Sequence, residues 1–270
     1  MFSLASRGHG EGSLCGQVAG AAASMKVSSY GRVLFATSAV LCGVVGLSWH
    51  NSDLWQSARQ IRGLAVPTIV GASIGIAQVG GGLGLLFRRT VRVASAVIGV
   101  AYLLLTLACI PAIVAAPAVY VGYGNFFEHV AYLSGAVAAY GNTERNAGRL
   151  ASLARAARVG LGLSAVSFAL EQAVYLRATA HLVPTWIPPS QMFWALLTTA
   201  AFALAAVAIL INREVRRTIC LLTLMLLLFA ALVWVPHLIA DPKALPNWSE
   251  FGETLLISGS SWMIGGLQSL

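Results

Sequence analysis

Charge is what this sequence has least of. Of its 270 residues 10% are charged and only nine are acidic, where an ordinary soluble domain is about one-quarter charged. A chain that is 58% hydrophobic, with a mean hydropathy of +0.79, has too few polar side chains to coat a water-facing surface. A bilayer solvates apolar surface directly, so the composition points to a polytopic membrane protein. Cysteine is scarce too. Cys15, Cys42, Cys109 and Cys220 form no C-x-x-C pair and no metal-ligand spacing, which leaves no metal site to expect. Three of them fall in apolar runs as small fillers, although Cys42 and Cys109 share a depth at which they could meet. Also missing are a GxGxxG followed by an acid, a P-loop, HExxH and GxSxG, so nucleotide, metallopeptidase and serine-hydrolase chemistry have no support.

The net charge of +8 does not mark a nucleic-acid binder, since the basic residues sit in short clusters between apolar runs without aromatic interleaving. Apolar runs long enough to cross a bilayer, or nearly so, lie at 31–50, 64–87, 92–116, 126–141, 157–182, 191–212, 217–238 and 251–268. The fourth and eighth are short and more polar, so eight helices is the working count and six plus two re-entrant segments the alternative. With the N-terminus inside, 13 of the 17 basic residues (Arg7, Lys26, Arg32, Arg88, Arg89, Arg92, Arg145, Arg149, Arg155, Arg158, Arg213, Arg216, Arg217) fall on the cytoplasmic side. Four (Arg59, Arg62, Arg177, Lys243) fall outside, a positive-inside bias that puts both termini in the cytoplasm. Trp49, Trp55, Tyr120, Tyr123, Trp186 and Trp248 then form an outer aromatic belt. Residues 1–30 carry no core of signal-peptide length and, rich in Gly, Ser and Ala, are expected to be disordered. Met25 reads as a natural start.

The halves of the chain answer each other at an offset of about 125 residues. "IPAIVAAP" at 110–117 matches "VPHLIADP" at 235–242, "RVLFATSAV" at 32–40 matches "RVGLGLSAV" at 158–166, Arg88 and Arg92 match Arg213 and Arg217, and "HVAYLSGA" at 129–136 matches "ETLLISGS" at 253–260. The expected organisation is an all-α helical bundle built as a tandem parallel repeat: a first four-helix unit at 31–141, a basic linker at 142–156 and a second unit at 157–270. Pro111 and Pro236 should kink the third helix of each unit. The glycine pairs Gly71/Gly75 and Gly80/Gly84 of helix two are spaced for close helix packing.

The passage "IGIAQVGGGLGLLFRRTVRVASAVIGV", with "HLVPTWIPPSQMFW" and "NWSEFGETLLISGSSWMIG", resembles the DoxX-like membrane proteins: four-helix units with a glycine-rich second helix and a basic turn. The resemblance covers residues 31–268 as two tandem units. It implies a bacterial inner-membrane location and a redox-associated role, quinone- or sulfur-linked, with quinone as the cofactor to consider and a redox protein as a partner beside the lipid bilayer. The chain departs from the family in carrying Gln78 where members often show an acid.

Ionisable groups inside a membrane cost about 2.5–3.5 kcal/mol at a helix centre, which makes them functional suspects. Glu171 is the clearest, about 20 Å along its helix from Arg158. If protonated, it could donate to a quinone carbonyl or relay a proton, and Tyr175 lies one turn on. His50, Glu128, His129, Arg177, His181, His237 and Glu253 all fall toward the outer side and together suggest an outward-facing polar pocket for substrate. Each has a structural reading as well: Glu128 and Glu253 suit helix N-termini, and Arg177 suits snorkelling to headgroups. Haem ligation by His129 and His237 is not enforced by any spacing. Three functions stay open: a membrane redox component, a small-molecule transporter with its site between the repeats, and a non-enzymatic scaffold.

Overall fold

A computed structural model describes residues 11–48 and 67–267, with side chains from Ser29 in the first helix and Ile69 in the second. These residues form helices and no strand. In chain order they are α1 (Glu11–Ser48), α2 (Pro67–Leu86), α3 (Val91–Ala108), α4 (Ile110–Ala115), α5 (Val121–Gly141), α6 (Ala147–Val174), α7 (Leu176–Leu182), α8 (Gln191–Leu210), α9 (Val215–Phe229), α10 (Val235–Ala240) and α11 (Leu245–Leu267), and a π-helical turn, Ala230–Trp234, joins α9 to α10. Six stretches are long and apolar enough to cross a membrane: Ser29–Ser48, Ile69–Leu86, Val91–Ala115, Ala147–Val174, Gln191–Leu210 and Val215–Ala240. Their outward faces carry residues such as Ile76, Val93, Val100, Leu204 and Leu221, the surface that lipid requires.

The two weakest expected spans, 126–141 and 251–268, correspond to α5 and α11, of 21 and 23 residues. At 1.5 Å per residue they extend about 31 and about 34 Å, close to the thickness of a hydrocarbon core. Both are single continuous helices. Their low hydropathy has a simple cause: they are packed against protein rather than lipid. Helix α11 touches α1, α5 and α9, and α5 touches α3, α6 and α11. Positions that face other helices are filled by Gly, Ala and Ser, as at Ser134, Gly135 and Ala136 or Ser258, Gly259, Ser260 and Ser261. Small residues permit close approach and lower the apparent hydrophobicity.

The leader expected over 1–30 lies outside the described residues for 1–10, and α1 begins at Glu11 and continues into the first span. One expectation is corrected. The run 157–182 is not one helix. The chain leaves helical geometry at Tyr175 (φ −105, ψ 34), and the short α7 then packs along α8.

Both predicted proline sites coincide with interruptions, solved in two ways. A proline has no N–H and its ring crowds the carbonyl four residues back. Ahead of Pro111 the chain steps out of α-geometry at Cys109, whose N–H reaches Thr106 O at 3.2 Å. Ahead of Pro236 the helix widens into the π turn instead.

Helix α2 uses two glycine faces. Gly75 abuts Leu47 and Gly82 abuts Ala36 O on α1, whereas Gly81 meets Ile98 and Gly84 meets Ala94 on α3. Gly71 is buried. Gly80, expected among the packing glycines, faces open space. Five residues past Gly75 is about 140° around the helix, so it cannot share that face; the matching partner is Gly82, seven residues on. The tightest glycine is Gly259, where a Cβ would stand 2.5 Å from the backbone N of Phe35 and 2.7 Å from its Cα. Gly259→Ala should therefore destabilise the protein by about 1–3 kcal/mol, and Gly82→Ala by a similar amount, while Gly80→Ala leaves stability unchanged or slightly higher. Thermal unfolding of the three variants in one detergent checks the order.

The connection 142–146 between α5 and α6 is closed by Glu144, whose carboxylate accepts from the backbone N–H of Arg145 (2.9 Å) and Asn146 (3.1 Å) and lies 3.8 Å from Arg92. The Asn146 and Arg145 N–H groups, helped by Arg92, hold this carboxyl below the usual range. Its contribution is therefore present above the ordinary Glu range and lost as pH falls through the lowered value. Glu144→Gln should lower the melting temperature at pH 7 and make no difference near the acid end of the titration; paired melts at the two pH values check it.

Candidate functional site

Between α1, α2, α3, α5 and α11 the bundle encloses a group of polar side chains. Tyr132 donates its hydroxyl to Glu128 Oε1 at 2.7 Å, one turn apart on α5. On the same helix His129 is buried, with its Nδ1 3.4 Å from the Cys109 thiol at the end of α3. From α11, Glu253 is buried and lies within electrostatic reach of Cys42, Tyr102 and Tyr132, as Glu128 does of Cys42 and Tyr132. Cys42 itself packs on Gly252, where a Cβ would come within 2.9 Å of its sulfur. The rings of Phe35, Tyr102, Tyr132 and His129 run in sequence through the cluster, with successive centroid distances of 6.2, 5.3 and 5.5 Å. Tyr102 and Gln78, both fully buried, complete it near the middle of α3 and α2.

The expected residues thus divide. Glu128, His129 and Glu253 converge. Glu171 lies apart: its carboxyl rests on Gly124 of α5, where a methyl group would collide with it, and its electrostatic neighbour is Glu250, one turn before Glu253 on α11. Tyr175 ends α6 rather than extending its face. Arg177 and His181 are exposed on α7, away from the cluster. His237 turns to its own helix, its Nδ1 2.7 Å from Val233 O. Trp49, His50, Trp55, Arg59 and Arg62 lie outside the described residues. Cys42 and Cys109 are both buried and are not joined in a disulfide.

Tyr102, Tyr132 and the two thiols were missed as site residues. Tyr132 carried a signal, because a hydroxyl four residues after Glu128 shares its helix face. Tyr102 carried none, since one tyrosine in an apolar helix usually serves packing or the interface. No group of three or more His, Cys, Asp or Glu among the described residues is arranged to hold a metal ion.

Comparison with protein-family models, with curated proteins and with solved structures finds no match to this chain. The chain's class therefore rests on the fold: an all-helical integral membrane protein with six helices able to span a bilayer and a polar interior.

The Tyr132–Glu128 bond supplies a sharp test of that interior. Tyr132→Phe leaves the carboxyl without its hydroxyl donor and should lower stability by about 1–3 kcal/mol, whereas Tyr132→Phe combined with Glu128→Leu should recover most of the loss. A double-mutant cycle by thermal or denaturant unfolding in detergent reads the coupling.

Proposed function

We propose that the protein is two fused DoxX-like four-helix units that bind a small redox-active molecule, of the quinone class, in the polar interior of the first unit. The observation carrying this reading is the convergence of Glu128, Tyr132, His129, Cys109, Cys42 and Glu253 inside a bundle whose outer surface is apolar. Ionisable groups at membrane depth are rare outside substrate and proton pathways. The repeat is supported by matching neighbours: α1 pairs with α2 as α6 does with α8, α3 with α5 as α9 does with α11, and α1 with α11 as α6 does with α5. The two proline interruptions fall at equivalent places. The sequence asymmetry of basic residues supports an inner-membrane protein with the arginine-rich end in the cytoplasm.

In this reading Glu128 and Glu253 exchange protons with the bound molecule, and Glu250 with Glu171 continues the acid series toward the proline-containing end of the bundle, taken as the outer side. A reduced-minus-oxidised absorption spectrum of the purified protein, with mass analysis of its lipid extract, should reveal a stoichiometric quinone that is lost in Glu253→Leu. A folded wild-type protein with no bound quinone and no response to added quinone defeats the proposal.

A transporter is the second reading, favoured by one feature: α11 of the second half packs against α1 and α5 of the first and brings Glu253 to the cluster, so both halves contribute to it, as in repeat transporters. Substrate flux into liposomes without a redox partner would select it.

A further inference from the structure

Gln78 and Tyr102 stand out within the cluster. Both are fully buried, and neither the nitrogen nor the oxygen of the amide, nor the tyrosine hydroxyl, has a hydrogen-bond partner among the described residues. The two side chains face each other, close enough for the amide to bond the phenol. Even one bond between them would leave the rest of an amide's two donors and one acceptor open. Buried polar groups are nearly always paired, and at membrane depth no bulk water supplies the deficit. Such a vacancy in hydrogen bonding, on two adjacent side chains from two helices, marks a place built for a partner from outside the chain.

The surroundings narrow what that partner is. Glu128 and Glu253 lie close to the same cluster and would oppose an anion. Gln78 and Tyr102 are uncharged, and a cation would be drawn to the carboxylates of Glu128 and Glu253 rather than to this amide and phenol. The rings of Phe35 and Tyr132 lie against Tyr102, and Ile74 and Ile98, one turn before Gln78 and Tyr102 on their helices, are buried; such surroundings suit an apolar or aromatic body. On the matching helices of the second half, α6, α8 and α9, the residues Phe168, Phe202 and Phe229 instead pack ring against ring, at 5.6 and 6.2 Å, filling the space with hydrocarbon.

We infer that Gln78 and Tyr102 form the seat for an uncharged ligand that presents a hydroxyl or carbonyl group on an apolar frame, with the amide and the phenol bonding that one polar group. This deepens the function proposed above and rests on it only for the choice of site; it does not require that the ligand undergo redox chemistry.

The test uses full-length protein in detergent with two probes, a redox-inert 4-alkylphenol and an alkyl-benzoquinone of equal tail length. Binding is read by the rise in melting temperature and by calorimetric titration. Wild type should bind the alkylphenol saturably at one site. Gln78→Leu and Tyr102→Phe should each weaken binding by about ten-fold, the scale of one lost neutral hydrogen bond, while their melting temperatures without probe stay equal or rise, because an unsatisfied polar group has been removed. Phenol binding without any quinone effect upholds the seat and counts against the redox reading. Non-saturable uptake by wild type overturns the inference, as does wild-type affinity in Tyr102→Phe, a variant with minimal risk to folding.

Discussion

The close parallel approach of α5 and α11 is the constraint on which the rest of the bundle depends. Where they meet, Gly135 lies under the Ser260 side chain, and the adjoining Gly259 presses on the backbone of Phe35 in α1. Contacts this short leave no room for a methyl group. They are possible because both helices spend their interior faces on glycine, alanine and serine, whose hydroxyls satisfy themselves on carbonyls one turn back, as Ser258 does on Thr254 O and Ser260 on Leu256 O. Without a hydrophobic drive between helices in lipid, packing of this kind is what holds a membrane bundle together. The six more apolar helices then arrange around the pair, each with one face on protein and one toward lipid.

That arrangement also explains what could be read from the residues and what could not. Hydropathy located the six lipid-facing helices well, because lipid contact demands apolar side chains at every depth. It understated α5 and α11, since a helix enclosed by other helices is relieved of that demand. The glycine pairs of α2 were legible as packing signals, but pairing Gly80 with Gly84 followed local spacing rather than helix phase. Gly75 and Gly82, seven residues apart, hold the face against α1. For the polar residues, proximity to the expected outer side grouped Glu128, His129 and Glu253, which the fold brings to one cluster. The same criterion admitted Arg177, His181 and His237, which share that level without facing the interior. Depth is readable from a sequence; azimuth around a bundle is fixed only once the helices have chosen their neighbours.

Gln78 shows the cost of reading a position by comparison alone. As a departure from an acidic residue it looked like lost chemistry. In the folded chain it is fully buried beside Tyr102 with its amide unsatisfied. An amide in place of a carboxyl keeps two-way hydrogen bonding at membrane depth and removes the penalty of a charge. The acids nearby, Glu128 and Glu253, come from the two central helices instead.

The two halves of the chain share a pattern of helix neighbours but differ in the side chains they enclose. A tightly packed small-residue seam tolerates few substitutions, because any added atom meets backbone. Interior positions between the surrounding helices are less constrained, because side chains there can be exchanged for others of similar volume with modest loss. Cys42, Gln78 and Tyr102 on one side, and Phe168, Phe202 and Phe229 on the other, occupy such positions on corresponding helices. Filling one side with aromatic hydrocarbon supplies rigid packing, and leaving the other polar costs stability. The seam and the aromatic packing can thus stabilise a bundle that keeps unsatisfied polar groups in its interior.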